Sequence, residues 1–212
     1  MMTEQVLLFR LISLLIGYIC GNFLTAEAVT RRLTGRPCAE LGTTGNPGMA
    51  NVMRALGFQA GIIVLVGDIA KTALAMLIAY LLFGGTIGRL TLFYAGLGAV
   101  LGHDFPVWLK RGRGGKGVTC CCTLLILFSP WGLLACIIGM LVVFGTKYLC
   151  VGGIAIPAAF LLPAFALYGT EIGILTVILT VLCFYKHWPA AKMIPSGKCE
   201  KTDVLSMLMK KK

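Results

Sequence analysis

Long apolar runs, separated by short clusters of glycine, proline and basic residues, set the pattern of this chain. A helix needs about 20 apolar residues, at 1.5 Å each, to cross a bilayer core roughly 30 Å thick. By that measure residues 7–29, 58–83 and 90–109 each predict a spanning helix, and 154–167 and 172–185 predict two shorter ones. The stretch 118–145 admits two readings. As one helix it would be about 42 Å long, more than a bilayer core requires. Broken at Ser129-Pro130-Trp131-Gly132, it gives two short spans.

Charge chooses between them. The basic residues fall mainly into three groups: Arg31, Arg32, Arg36 and Arg54; then Lys110, Arg111, Arg113 and Lys116; then Lys186, Lys192, Lys198, Lys201, Lys210, Lys211 and Lys212. With the break, all three groups and Lys147 fall on one side; without it, the last group lands opposite the others. Positive charge is retained in the cytosol. The expectation is therefore an all-α polytopic membrane protein with seven transmembrane helices, amino terminus outside, carboxyl terminus cytosolic, and residues 1–212 forming one domain.

Composition agrees. The 212 residues are 58% hydrophobic and 13% charged, with a mean hydropathy of +0.90, whereas soluble domains are about a quarter charged. A net charge of +11 suits cytosolic loops and anionic headgroups; with no soluble basic domain to carry it, nucleic acid is not an expected partner. Of nine cysteines, Cys20, Cys120, Cys121, Cys122, Cys136 and Cys183 lie in apolar runs, where thiols act as small hydrophobes. Cys38 and Cys199 sit in polar loops, open to labelling from the cytosol, and without the C-x-x-C spacing of a zinc site. The start, Met1-Met2-Thr3-Glu4, shows no basic region or small-residue cleavage site, so no removable signal peptide is expected. Gly96-Leu97-Gly98 is read as a close helix contact in lipid.

Two loops carry the candidate chemistry. Residues 31–57 form the one long connection, and within it lies Gly42-Thr43-Thr44-Gly45-Asn46-Pro47-Gly48-Met49-Ala50-Asn51-Val52-Met53-Arg54. Its glycines let backbone N–H groups turn toward an anion, and Arg54 offers a forked cation for phosphate; the same residues would also serve as an ordinary turn-rich connector. The second loop reads Gly102-His103-Asp104-Phe105-Pro106, then Lys110-Arg111-Gly112-Arg113-Gly114-Gly115-Lys116-Gly117, and opens into a helix at Val118 whose N-terminal N–H groups favour anions. It is not a Walker A loop, because Gly117 follows Lys116. A positive-inside anchor would explain its cations but not four glycines among them. Both loops fall on one face, which suggests two anionic substrates or two ends of one. Asp68 and Lys71 lie three apart on one helical face inside a span, either pairing with each other or marking a functional path. His103 and His187 stand at span ends, each a base or an interfacial residue.

These residues resemble the bacterial acyl-phosphate:glycerol-3-phosphate acyltransferase family over nearly the whole chain. That family's Gly-Ser-Gly-Asn-Pro-Gly-x-x-Asn-Val-x-Arg loop is matched from Thr43 to Arg54, with Thr44 for the serine. Its Asp-x-x-Lys-Gly element is similar to Asp68-Ile69-Ala70-Lys71, and its Gly-His-x-Phe-Pro followed by Gly-Gly-Lys-Gly is matched by 102–106 and 114–117. The resemblance implies a seven-helix enzyme of the bacterial inner membrane with its active face cytosolic. It would move a fatty acyl group from acyl phosphate to the sn-1 hydroxyl of glycerol 3-phosphate, giving lysophosphatidic acid and phosphate, with no cofactor or metal. Thr44, Gly45, Asn46, Gly48, Asn51, Arg54, Gly114, Gly115 and Lys116 would bind phosphate. Lys116, Arg54 and His187 would be catalytic, and His103, Asp68, Lys71 and Cys150 are further candidates.

The chain departs from the family at Gly21-Asn22-Phe23-Leu24, where the family has Gly-Ser-x-Pro. Cys150 replaces a serine in the segment Lys147-Tyr148-Leu149-Cys150. The family's C-terminal His-Arg-x-Asn-Ile and Gly-x-Glu read here as His187-Trp188-Pro189-Ala190-Ala191 and Gly197-Lys198-Cys199-Glu200. Three functions remain open on the residues alone: this acyl transfer, a divergent paralogue binding another phosphorylated or acylated ligand, and a transporter of lipid-like anions. Acyl-phosphate turnover separates the first, and ligand flux across vesicles the third.

Overall fold

The structure, a computed structural model, describes residues 2–109 and 114–202; Lys110, Arg111, Arg113 and Lys210, Lys211 and Lys212, which entered the charge argument, lie outside them. Every element among the described residues is helical: α1 (Met2–Gly21), α2 (Thr25–Thr34), a 3₁₀ turn (Cys38–Glu40), α3 (Met49–Leu56), α4 (Phe58–Ile87), α5 (Leu90–Asp104), α6 (Val118–Phe128), α7 (Pro130–Thr146) and α8 (Leu149–Ala191). They form two compact units, the first running to Cys120 and the second beginning at Cys121.

Among the described residues three helical stretches are long and apolar enough to cross a membrane: Thr3–Thr34, Phe58–Ile87 and Leu149–Ala191. Large side chains such as Leu81 (73% exposed), Leu141 (63%) and Leu162 (78%) point outward, which is tolerable where the surroundings are hydrocarbon.

The first expected span, 7–29, is not one continuous helix. α1 ends at Gly21 and α2 restarts at Thr25 after an extended Leu24. Asn22 competes for the backbone: its Nδ2 donates to the Tyr18 carbonyl at 2.6 Å, and its Oδ1 accepts the N–H of Val107 at 2.8 Å. Short polar side chains that bond locally in this way favour helix ends. The connection 31–57 also differs from the expected loop, because the 3₁₀ turn and α3 occupy part of it. Val52 and Met53 on α3 are buried, and Val52 joins Ala26, Cys38, Ala60 and Val64 in a small apolar core.

The break at 129–130 is present. Ser129 caps α7 by accepting the Trp131 N–H at 3.1 Å, and Pro130 occupies the first turn, where its missing N–H leaves no bond unmade. The two apolar stretches 154–167 and 172–185 run on as α8, interrupted at Gly169, whose φ of +84° lies outside the helical region.

In the first unit α1 and α5 meet through small residues. Gly17 rests on the Ala95 carbonyl, Gly21 on the Ala99 backbone, Gly98 on the Leu14 carbonyl and Gly102 on the Tyr18 carbonyl, so any Cβ there would strike backbone. Lipid offers little hydrophobic drive between helices, and close backbone approach supplies the contact instead. In the second unit Gly139 on α7 lies against Ile156 and Gly152 of α8. The rings of Phe128, Phe160 and Tyr168 cluster beside the Ser129 hydroxyl, which is 2.7 Å from the Tyr168 hydroxyl.

Candidate active site

The first glycine loop is held from below. Glu27, buried on α2, accepts the Arg31 Nε–H at 2.6 Å and the Cys38 N–H at 2.8 Å. Burial pushes the Cys38 thiol above its ordinary range, and its sulfur lies 3.7 Å from the Asn46 carbonyl. Asn51, buried on α3, donates to the Leu41 carbonyl at 3.0 Å and accepts from the Thr44 hydroxyl at 3.0 Å. Gly42 and Gly45 adopt positive φ (+63° and +57°), Gly45 seated directly on the Ala39 carbonyl. The loop then enters α3 at Gly48, with no side chain capping the first turn. Thr44 is exposed, Gly45, Asn46 and Gly48 are half-buried, and Arg54 is half-buried in the last turn of α3.

Beneath this loop lies a buried polar cluster. The Lys71 ammonium is 2.8 Å from Asp68 Oδ1 and donates to the Phe23 carbonyl at 2.8 Å, with the Gly21 carbonyl at 3.4 Å. It therefore caps carbonyls exposed where α1 stops, a place that favours a cation. A further neighbour is His103 Nδ1 at 2.9 Å. An ammonium only donates, so Nδ1 accepts and the imidazole proton is assigned by this bond to Nε2. Asp68 also accepts from the Thr25 hydroxyl at 3.2 Å. All of Thr25, Asp68, Lys71 and His103 are less than a tenth exposed.

His103 Nε2 faces the second loop. Gly115 lies directly on that nitrogen, and its N–H donates to the His103 carbonyl at 2.9 Å. Gly114 packs on the Asp104 carbonyl, and Gly117, at φ +62°, on the Asp104 carboxylate and Val100. A side chain on Gly114 or Gly115 would collide, which is why glycine stands at both. Lys116, half-buried, follows them just before α6. The preceding segment is tied to the end of α1: Tyr18 donates to the Phe105 carbonyl at 2.9 Å, and Trp108 Nε1 to the Asn22 carbonyl at 2.9 Å.

A continuous chain of contacts thus runs from Asn46 through Cys38 and Glu27 to α2, then through Thr25, Asp68, Lys71 and His103 to Gly115. Asp68 and Lys71 do pair with each other, as the spacing suggests, and the pair also holds His103. Sequence reasoning gave no role to Thr25, Glu27, Asn22 or Asp104. Glu27 and Asp104 carried a signal, since a carboxylate at the edge of an apolar run requires a partner.

In the second unit His187, 3% exposed, packs its ring on Gly153 in the other half of α8, across the break at Gly169, and Gly153 is one turn beyond Cys150. Cys150 Sγ is 3.9 Å from Cys199 Sγ. The segment carrying Cys199 returns to the start of α8, where the Thr202 N–H donates to the Lys147 carbonyl at 2.7 Å. Neither loop cysteine is open as expected: Cys38 is fully buried and Cys199 is 7% exposed. The reason is that each anchors an otherwise polar segment against apolar structure. No group of three or more His, Cys, Asp or Glu residues that would hold a metal exists among the described residues.

Apolar helices packed through glycine, with glycine-rich basic loops set over a buried lysine–aspartate–histidine cluster, define an integral membrane protein with a polar site at the ends of its helices. The model of the family described as glycerol-3-phosphate acyltransferase matches residues 11–197. The chain belongs to that family and is an acyltransferase. Glycerol-3-phosphate acyltransferase 1 of Lactobacillus johnsonii is 38% identical over 202 residues, covering 94% of this chain and 96% of the relative. The Coxiella burnetii glycerol-3-phosphate acyltransferase is 34% identical over 197 residues, covering 92% and 98%. Two crystal structures of PlsY, an integral membrane glycerol 3-phosphate acyltransferase, share the fold: the glycerol 3-phosphate form (TM-score 0.80, 26% identity, 95% of this chain and 99% of that one) and the lysophosphatidic acid form (TM-score 0.77, 25% identity).

Proposed function

We propose that this chain transfers a fatty acyl group from acyl phosphate to the sn-1 hydroxyl of glycerol 3-phosphate, releasing phosphate and lysophosphatidic acid. The observation that carries the reading is the pair of glycine loops joined through Asp68, Lys71 and His103. Acyl phosphate is already an activated mixed anhydride, so the protein has to hold two anions against their repulsion, align hydroxyl with carbonyl and stabilise the developing oxyanion. Thr44, Gly45, Asn46, Gly48, Asn51 and Arg54 would take one phosphate; Gly114, Gly115 and Lys116, with His103 Nε2–H beneath them, would take the other. Lys116 and Arg54 would offset the charge that builds in the transition state. His187 is our candidate to accept the hydroxyl proton, with Cys150 one turn from the glycine it packs on.

The names of the relatives and the ligand states of the two PlsY structures support substrate and product. The family match runs from 11 to 197, which supports treating residues 1–212 as one membrane-embedded domain although it folds as two units. Our topology has seven crossings made by α1, α4, α5, α6, α7 and the two halves of α8, amino terminus outside and both loops cytosolic, in a bacterial cell membrane. α6, about 16 Å long, buries Cys120, Cys121, Leu124, Leu125 and Phe128 and leaves Ile126 and Leu127 exposed, so in this topology it would meet lipid along one side only.

A second reading, a divergent paralogue, is favoured by Cys150, Ala190 and Cys199, since alanine offers no side-chain hydrogen bond where the family has asparagine. The deciding experiment gives purified protein palmitoyl phosphate and glycerol 3-phosphate, with palmitoyl-CoA and acceptor-free reactions in parallel. Lysophosphatidic acid formed from acyl phosphate alone as donor supports acyl transfer. Glycerol 3-phosphate binding without turnover would transfer the conclusion to the paralogue.

A further inference from the structure

The segment from Lys192 to Thr202 is a strap over the start of α8. Lys192, Met193, Pro195, Ser196, Gly197 and Lys198 are exposed, and Gly197, at φ +70°, turns the chain back. Two points then fasten it: the Thr202 N–H on the Lys147 carbonyl at 2.7 Å, and the Cys199 thiol buried against Cys150 with its sulfur 3.9 Å away. Thiols in contact in this way need only close from that separation to about 2.05 Å to bond. The serine and glutamate that the family resemblance places at these two positions could not do so, which makes the thiol pair a property of this chain.

We propose that Cys150 and Cys199 form a reversible dithiol–disulfide site that reacts with low-molecular-weight disulfides, and that closing it staples the strap to the amino-terminal end of α8. Cys199 lies on the segment with exposed backbone, which opens most readily, so it is the attacking thiol. Its thiolate displaces one thiolate from the small disulfide, giving a mixed disulfide. The Cys150 thiolate then attacks the Cys199 sulfur and expels the second. Two protein thiols and one small disulfide become one protein disulfide and two small thiols, with the two protons passing to the released thiolates. A reducing compartment keeps the pair open and an oxidising excursion closes it.

The test incubates the full-length protein in detergent with oxidised glutathione, blocks remaining thiols, and digests with trypsin. Cleavage after Lys147, Lys186, Lys198 and Lys201 releases Cys150 and Cys199 on separate peptides, so a closed pair appears as a cross-linked species two mass units below the sum. Fragmentation separates Cys150 from Cys183, which shares its peptide. The expected result is this cross-link, its disappearance on adding dithiothreitol, and its absence in Cys199→Ser and in Cys150→Ser. Trypsin under native conditions should cut after Lys192 and Lys198 at least tenfold more slowly in the oxidised protein. A stable glutathione adduct on Cys199, or Cys199 paired with another cysteine, would overturn the site. A cross-link with unchanged cleavage at both lysines would overturn the stapling.

Discussion

Replacing Lys71 by methionine tests the buried cluster most directly. Methionine keeps the length and apolar stem of the side chain and removes the charge. The Asp68 carboxylate, 2% exposed on its side chain, is then left with the Thr25 hydroxyl at 3.2 Å. The carbonyl of Phe23 and Nδ1 of His103 lose their donor as well. Removing one partner of a buried pair costs about 3–5 kcal/mol, because the abandoned charge stays out of water. The expected loss is about 4 kcal/mol, the middle of that range. For a chain of 212 residues, at about 2–4 °C per kcal/mol, the apparent melting temperature should fall by roughly 8–16 °C. Thermal unfolding in detergent, followed by tryptophan fluorescence, reads this. The double variant Asp68→Leu with Lys71→Met removes both charges and should recover at least about 2 kcal/mol of the loss, since apolar replacement of a buried pair is often close to neutral. A single variant within about 1 kcal/mol of the parent, or a double variant as costly as the two singles added, would refute the argument that this pair is held dry and mutually dependent.

Further outcomes follow from the loops. Arg54→Ala and Lys116→Ala should each weaken glycerol 3-phosphate or acyl-phosphate binding by about 10- to 150-fold, the equivalent of roughly 1.5–3 kcal/mol for a charge-assisted contact; unchanged affinity in both, measured by calorimetry, would remove the loops as a phosphate site. Gly115→Ala should lower kcat/KM by about 10²-fold, because the added methyl must displace the His103 ring and small misplacements near the chemistry have that effect. Gly85→Ala, which meets nothing within 4 Å, should leave activity unchanged and gain up to about 1 kcal/mol in helix propensity. Cys38 should resist maleimide at pH 8 in the folded protein, since burial raises its thiol and the thiolate is the reactive form. A rate in the native state within tenfold of that in SDS would show the thiol to be open.

Much of this protein is visible in one dimension. Hydrocarbon demands internally satisfied backbone, so runs of apolar residues near bilayer length are helices whatever their neighbours, and α4, α5 and the two parts of α8 fall where those runs lie. Local chemistry also sufficed at Ser129-Pro130, where a cap and a residue without an N–H mark a helix start. The glycine loops and the likeness of 43–54 and 114–117 to the family were equally readable, because loop function depends on consecutive residues. What the sequence could not give arises between segments far apart in it. α1 stops at Gly21, and the oxygen of the next side chain, Asn22, accepts the N–H of Val107, 85 residues on. Lys71 has its ammonium on a carbonyl 48 residues earlier and an imidazole 32 residues later. Cys199 faces Cys150 across 49 residues. Periodicity and motif spacing are properties of neighbours along the chain. Partners of a buried polar atom are chosen by which helix happens to end beside it, and only the packed tertiary structure decides that.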